Sequence, residues 1–139
     1  PRLTFTSPQG EPVSPSHYRG KWVALDFWSP DEPSSRRDLP QWERAYEQYR
    51  DKGLEVISIA VCHPQTYQTH QAEPQDSLPW AQAYVSRTFD GSPDVVSLFA
   101  LYSFPTAMLI DPEGKIVFRG RPAGLFAKLE EVFATPQTE

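Results

Sequence analysis

Two stretches of the chain are apolar at nearly every position. Trp22 to Trp28 is interrupted only by Asp26, and Leu54 to Val61 is a second such run. Runs this short without alternation predict strands buried on both faces, as in a parallel sheet covered by helices. Between them, Leu39, Trp42, Tyr46 and Tyr49 recur at helical spacing, and Gly53 supplies the stop. Pro40 lies inside that pattern, where a missing backbone donor predicts a kink.

The flanking segments carry weaker patterns. Leu3 to Thr6 alternates apolar and polar, Ser7 to Gly10 is a turn, and Val13 resumes a strand, which predicts an N-terminal hairpin. His63 to Pro79 is polar and proline-containing and reads as a long loop. Trp80 to Phe89 is assigned to a helix and Pro93 to Ala100 to another. Thr106 to Asp111, the turn Pro112 to Lys115, and Ile116 to Arg119 predict an antiparallel hairpin. Leu125, Leu129, Val132 and Phe133 share one face of a last helix. No internal repeat or second domain is visible, so residues 1–134 are expected to form one domain and 135–139 a flexible tail.

Composition is consistent with a packed domain. The chain has 139 residues, 39% of them apolar, including four Trp, six Tyr and eight Phe; a domain near this size buries roughly 68–70% of its unfolded surface. Fifteen prolines are about twice the background and fall mostly between apolar runs, where they stiffen loops. A net charge of −5 argues against nucleic acid as a partner. No apolar run reaches the length of a membrane span, and Pro1 does not open a signal-peptide pattern. An anchor or further domain outside this sequence is compatible with that reading. The single cysteine, Cys62, excludes an intrachain disulfide.

Three blocks carry a family resemblance. Gly20-Lys21-Trp22-Val23, Phe27-Trp28, Arg36, Asp38 and Pro40 match the segment around the redox turn of the TlpA-like thiol-disulfide oxidoreductases of the thioredoxin superfamily, relatives of the AhpC/TSA proteins. Phe99 to Thr106 is similar to the family's second motif, whose proline is cis and faces that turn; the counterpart is Pro105. Met108 to Ile116 is similar to the strand and turn that follow. The resemblance implies a thioredoxin-like three-layer α/β sandwich with a central mixed sheet and an N-terminal hairpin. It also implies an extracytoplasmic location, periplasmic or membrane-tethered.

The family's two cysteines are absent. Aligned without a gap, their positions fall on Glu32 and Ser35, with Pro33 retained after the first. In redox-active relatives a helix N-terminus, expected here near Ser34-Ser35, stabilises a thiolate. A carboxylate in that field is already ionised, and a serine hydroxyl without a base holds its proton. Thiol-disulfide exchange needs a thiolate and then a second thiol to resolve the mixed disulfide, so the turn is read as catalytically degenerate. Glu32 is expected to act as a helix cap, or else to join Ser34 or Ser35 in a ligand site beside Pro105.

Other candidates have plainer readings. By resemblance Asp26 would lie beneath the second cysteine position; here it is a structural, hydrogen-bonded Asp or part of a polar pocket. Cys62 is read as a small buried hydrophobe, with a thiol-dependent oxidoreductase or peroxidase using Cys62 alone as the alternative function. His63, His70 and Asp76 match no metal-site spacing, and neither metal nor cofactor is expected. The leading expectation is a redox-inactive protein- or peptide-binding module. Its binding face would comprise Phe27, Trp28, Glu32, Pro33, Ser34, Ser35, Phe104 and Pro105, and the residue before the proline would offer its backbone to an extended peptide.

Overall fold

The computed structural model describes residues 5–6, 12–29, 37–62, 79–86 and 105–134. They contain one seven-stranded sheet in the order β2-β1-β5-β4-β3-β6-β7. The strands are β1 (Phe5–Thr6), β2 (Pro12–Val13), β3 (Trp22–Trp28), β4 (Leu54–Cys62), β5 (Ala81–Ser86), β6 (Thr106–Ile110) and β7 (Ile116–Gly120). β3, β4 and β5 are parallel and the remaining pairs antiparallel, so the sheet is mixed, as expected. Both expected hairpins are present, β1 with β2 and β6 with β7.

The two apolar runs became the central strands because each is covered on both faces. On one face Val23, Leu25 and Phe27 of β3 pack with Ile57, Ile59 and Val61 of β4, Met108 and Ile110 of β6, and Phe5. On the other, Ala24, Val56, Ala107 and Leu109 lie beneath helices α1 (Leu39–Tyr49) and α2 (Pro122–Ala134). The helices meet each other through Trp42 and Phe126, edge-on at 5.1 Å, and through Tyr49 stacked on Phe133 at 4.8 Å. Leu125 and Leu129 are fully buried and Val132 and Phe133 partly so, which matches the face read from the sequence.

Two expectations require correction. Residues 81–86 form a strand, not a helix: Ala81 to Ser86 pair in parallel with Ile57 to Cys62, and a vacant sheet edge outweighs the weak helical preference of two alanines. Pro40 does not kink α1, because it falls in the first turn, where no intrahelical donor is required. That helix begins at Leu39, with Arg37 and Asp38 in a turn before it, and the helix start expected near Ser34-Ser35 lies outside the described residues. At its far end, a 3₁₀ turn over Arg50–Lys52 leads to Gly53, whose φ of +105° provides the left-handed cap. The segments assigned to 63–78 and 93–100, and the tail 135–139, lie outside the described residues.

β7 is an edge strand, with Ile116 and Val117 about two-fifths exposed. The register slips between Leu109 and Ile110, which pair with Phe118 and Ile116, leaving Val117 as the extra residue of a bulge. Such a bulge twists an edge away from further pairing.

Leu109→Ala should cost about 2–5 kcal/mol, because Leu109 is fully buried between the sheet and both helices. Pro40→Ala should shift stability by no more than about 1 kcal/mol. Urea denaturation midpoints check both, and a large loss for Pro40→Ala would contradict its first-turn placement.

Candidate functional site

The end of β3 and the start of β6 form the face where the sequence placed its site. Phe27 pairs with Thr106, so Trp28 lies across from Pro105 at the limit of the ladder. The structure therefore brings these two together. Phe27 and Trp28 are 0% and 4% exposed, so both rings support this face from beneath and do not project from it. Glu32, Pro33, Ser34, Ser35 and Phe104 lie outside the described residues, and with them the Phe104–Pro105 bond.

Pro105 is held by a residue that sequence reasoning did not find. Arg121 Nη1 donates to the Pro105 carbonyl at 2.9 Å, a charge-assisted bond to a neutral acceptor. Arg121 immediately precedes α2, and its own carbonyl accepts from Leu125 N–H at 3.2 Å. The proline loop is thereby tied to the junction between β7 and α2. Nothing in the local sequence signals this contact, which depends on the antiparallel return of β7 beside β6.

Beneath the same end of β3 runs a buried polar chain. The β3–β4 register sets Asp26 opposite Ser58. Ser58 Oγ donates to Asp26 Oδ2 at 2.9 Å and accepts from Trp80 Nε1 at 2.8 Å. Asp26 and Ser58 are 2% and 0% exposed, a setting in which an unbonded carboxylate or indole N–H would be costly. Trp80 also packs its ring against Tyr46 of α1 at 5.3 Å. One chain of contacts thus links β3, β4, the start of β5 and α1. Asp26 is both buried and hydrogen-bonded, and it lies two residues, roughly 7 Å, below the strand end. Ser58, a lone hydroxyl in an apolar run, was the sequence signal for this network.

Cys62 ends β4, with its backbone paired to Ser86; its side chain, like His63, His70 and Asp76, lies outside the described residues. Among the described residues no group of His, Cys, Asp or Glu side chains has the arrangement of a metal site. None of the described helices is long and apolar enough to cross a membrane. Taken together, the described site offers a rigid strand end, an anchored proline loop and a buried carboxylate.

Ser58→Ala should cost about 1–3 kcal/mol, since it removes a hydroxyl that serves both Asp26 and Trp80. The double variant Ser58→Ala, Trp80→Phe should cost less than the sum of its parts, which a double-mutant cycle in urea measures. Strict additivity would show that the two groups do not act together.

Comparison with known proteins agrees with this geometry. The model of the AhpC/TSA family matches residues 1–119. The chain is similar to thiol-disulfide oxidoreductase ResA of Halalkalibacterium halodurans, 27% identical over 126 residues covering 90% of this chain and 67% of that protein. ResA of Bacillus thuringiensis subsp. konkukian is 23% identical over 118 residues, covering 84% and 64%. The chain thus spans about two thirds of the length of these relatives. Among solved structures it resembles a thiol:disulfide interchange protein from Bacteroides sp., with a TM-score of 0.77 and 28% identity over 100% of this chain and 90% of that one. The thioredoxin domain of a thiol-disulfide oxidoreductase from Bacteroides vulgatus gives a TM-score of 0.74 at 26% identity, covering 95% and 93%. The fold is therefore thioredoxin-like.

Proposed function

The chain belongs to the AhpC/TSA family, and from that premise we propose that it is a member inactive in dithiol exchange that binds an extended peptide or protein segment at the Pro105 edge. The observation that carries this reading is the combination of a single cysteine with a proline loop still anchored by Arg121. Exchange between a dithiol and a disulfide needs a nucleophilic thiol and a resolving thiol, and this sequence supplies only one thiol, Cys62. The anchored loop, by contrast, serves a purpose that requires no sulfur. Backbone groups beside a fixed proline can pair with an extended chain as an added strand does.

The division of labour is specific. The Pro105 carbonyl already accepts one bond from Arg121, and by family resemblance the residue before the proline, Phe104, would offer its backbone to an incoming segment. Trp28 and Phe27, packed beneath, keep the strand end rigid, which lowers the ordering cost of binding. Glu32, Pro33, Ser34 and Ser35 would form the opposing wall by family resemblance, with the carboxylate of Glu32 favouring a partner that presents a donor. The same resemblance supports an extracytoplasmic setting.

Two measurements test the reading. In an insulin-reduction assay driven by dithiothreitol, the protein should be no faster than its Cys62→Ser variant; turnover clearly above that control would overturn the redox-inactive assignment. On an array of tiled peptides, binding should survive Cys62→Ser and Lys128→Ala but weaken roughly tenfold with Arg121→Ala, the order of one charge-assisted hydrogen bond. Equal binding by Arg121→Ala and the parent protein would remove the proline edge from the site.

A further inference from the structure

The opposite end of the sheet holds a cavity with no part in the site above. β3 rises from Trp22 to Trp28, so its first residues lie roughly 20 Å from the Pro105 edge. There a cavity of about 790 Å³ opens between the 3₁₀ turn Pro15–Tyr18, the start of β3, and the β6–β7 turn. That volume falls within the roughly 300–1,000 Å³ of small-molecule sites and far exceeds the space of a single ion. The two walls are tied together, because Gly20 N–H donates to the Pro112 carbonyl at 3.0 Å.

The lining is divided by chemistry. Pro12 and Ile116, both exposed, contribute apolar surface, and only a trace of the buried Val23 and Ile110 reaches it. His17, Arg19, Lys21 and Lys115 also line it, a concentration of basic groups in a chain whose net charge is −5. Two of these already have carboxylate neighbours: Lys21 Nζ is 3.0 Å from Glu55 and Lys115 Nζ 3.8 Å from Glu113. Among the described lining residues the one carboxylate, Asp111, is committed locally, because its Oδ1 accepts the backbone N–H groups of Glu113 and Lys115 at 2.9 Å each.

Arg19 differs from the other basic groups. Its Cζ, Nε and Nη2 all stand 3.4 Å from the point where a Cβ on Gly114 would project, so the guanidinium lies flat over that glycine. Gly114 has φ of +93°, and the turn it makes leaves room for this stacking. No carboxylate among the described residues forms an ion pair with Arg19. The planar face is covered while the N–H edges stay available, an arrangement suited to a carboxylate held through two parallel bonds. Tyr18 adds a hydroxyl. Burial, and next the nearby Glu55 carboxylate, raise its pKa from the ordinary phenol value.

We propose that this cavity binds a small amphipathic anion, a carboxylate on an apolar body, with Arg19 holding the carboxylate and Pro12 and Ile116 receiving the apolar part. The site is independent of the peptide edge, and neither reading requires the other.

Amide NMR titration with phenylbutyrate tests it. Saturable shifts should appear in residues 14–21 and 110–116, and Arg19→Gln should weaken binding roughly tenfold. Phenylbutanol, which keeps the body and loses the charge, and inorganic phosphate, which keeps charge and loses the body, should each bind the parent protein roughly tenfold more weakly. These two probes require no variant to fold. Equal binding of phenylbutyrate and phenylbutanol, equal binding of phosphate, absence of saturable shifts, or shifts confined to the Pro105 end would each overturn the proposal. Arg121→Ala and Cys62→Ser should leave the titration unchanged, which separates its failure from failure of the peptide reading.

Discussion

The pairing of β3 between a parallel neighbour on one side and an antiparallel neighbour on the other is the constraint on which the rest of the structure depends. Residues 23–29 are all buried, so a slip of one position would exchange the two sides of the sheet and carry Asp26 from its hydroxyl partner into the aliphatic cluster around Ile57 and Ile59. The register fixes Asp26 opposite Ser58 through β4 and Trp28 across from Pro105 through β6. Structural stability and site geometry therefore share one cause.

The buried polar chain reinforces that register. An apolar residue at Asp26 could pack in either of two neighbouring alignments, but a carboxylate with its acceptor filled by Ser58 and, through Ser58, by Trp80 is satisfied in only one. Trp80 in turn contacts Tyr46, so the position of α1 over the sheet is coupled to the same alignment. The carboxylate beneath this end of β3 thus has a structural partner in Ser58.

The two ends of the sheet place an arginine in different settings on the same scaffold. At one end, Arg121 spends its charge on a backbone carbonyl and fixes a loop. At the other, Arg19 rests on a glycine turn and leaves its charge facing a cavity. The core between them is apolar on both faces and shared by all the long strands, so residues at either end can change without disturbing the other. Distance and rigid packing together allow such independence.

The sequence by itself determined the central strands, the two hairpins, the last helix and the family resemblance, because buried runs, turn residues and helical spacing are local signals written in consecutive residues. It also fixed the number of thiols at one, since that follows from counting cysteines. The tertiary structure alone decided that residues 81–86 are a strand, because a vacant sheet edge is a property of β4 and not of those residues. It alone placed α1 at Leu39, where Pro40 is harmless, and buried Trp28 instead of presenting it. Arg121 and Arg19 were unreadable in sequence for one reason: each acts through a backbone feature, the Pro105 carbonyl or the Gly114 turn, that only the antiparallel pairing of β6 with β7 and its flanking turns brings within reach.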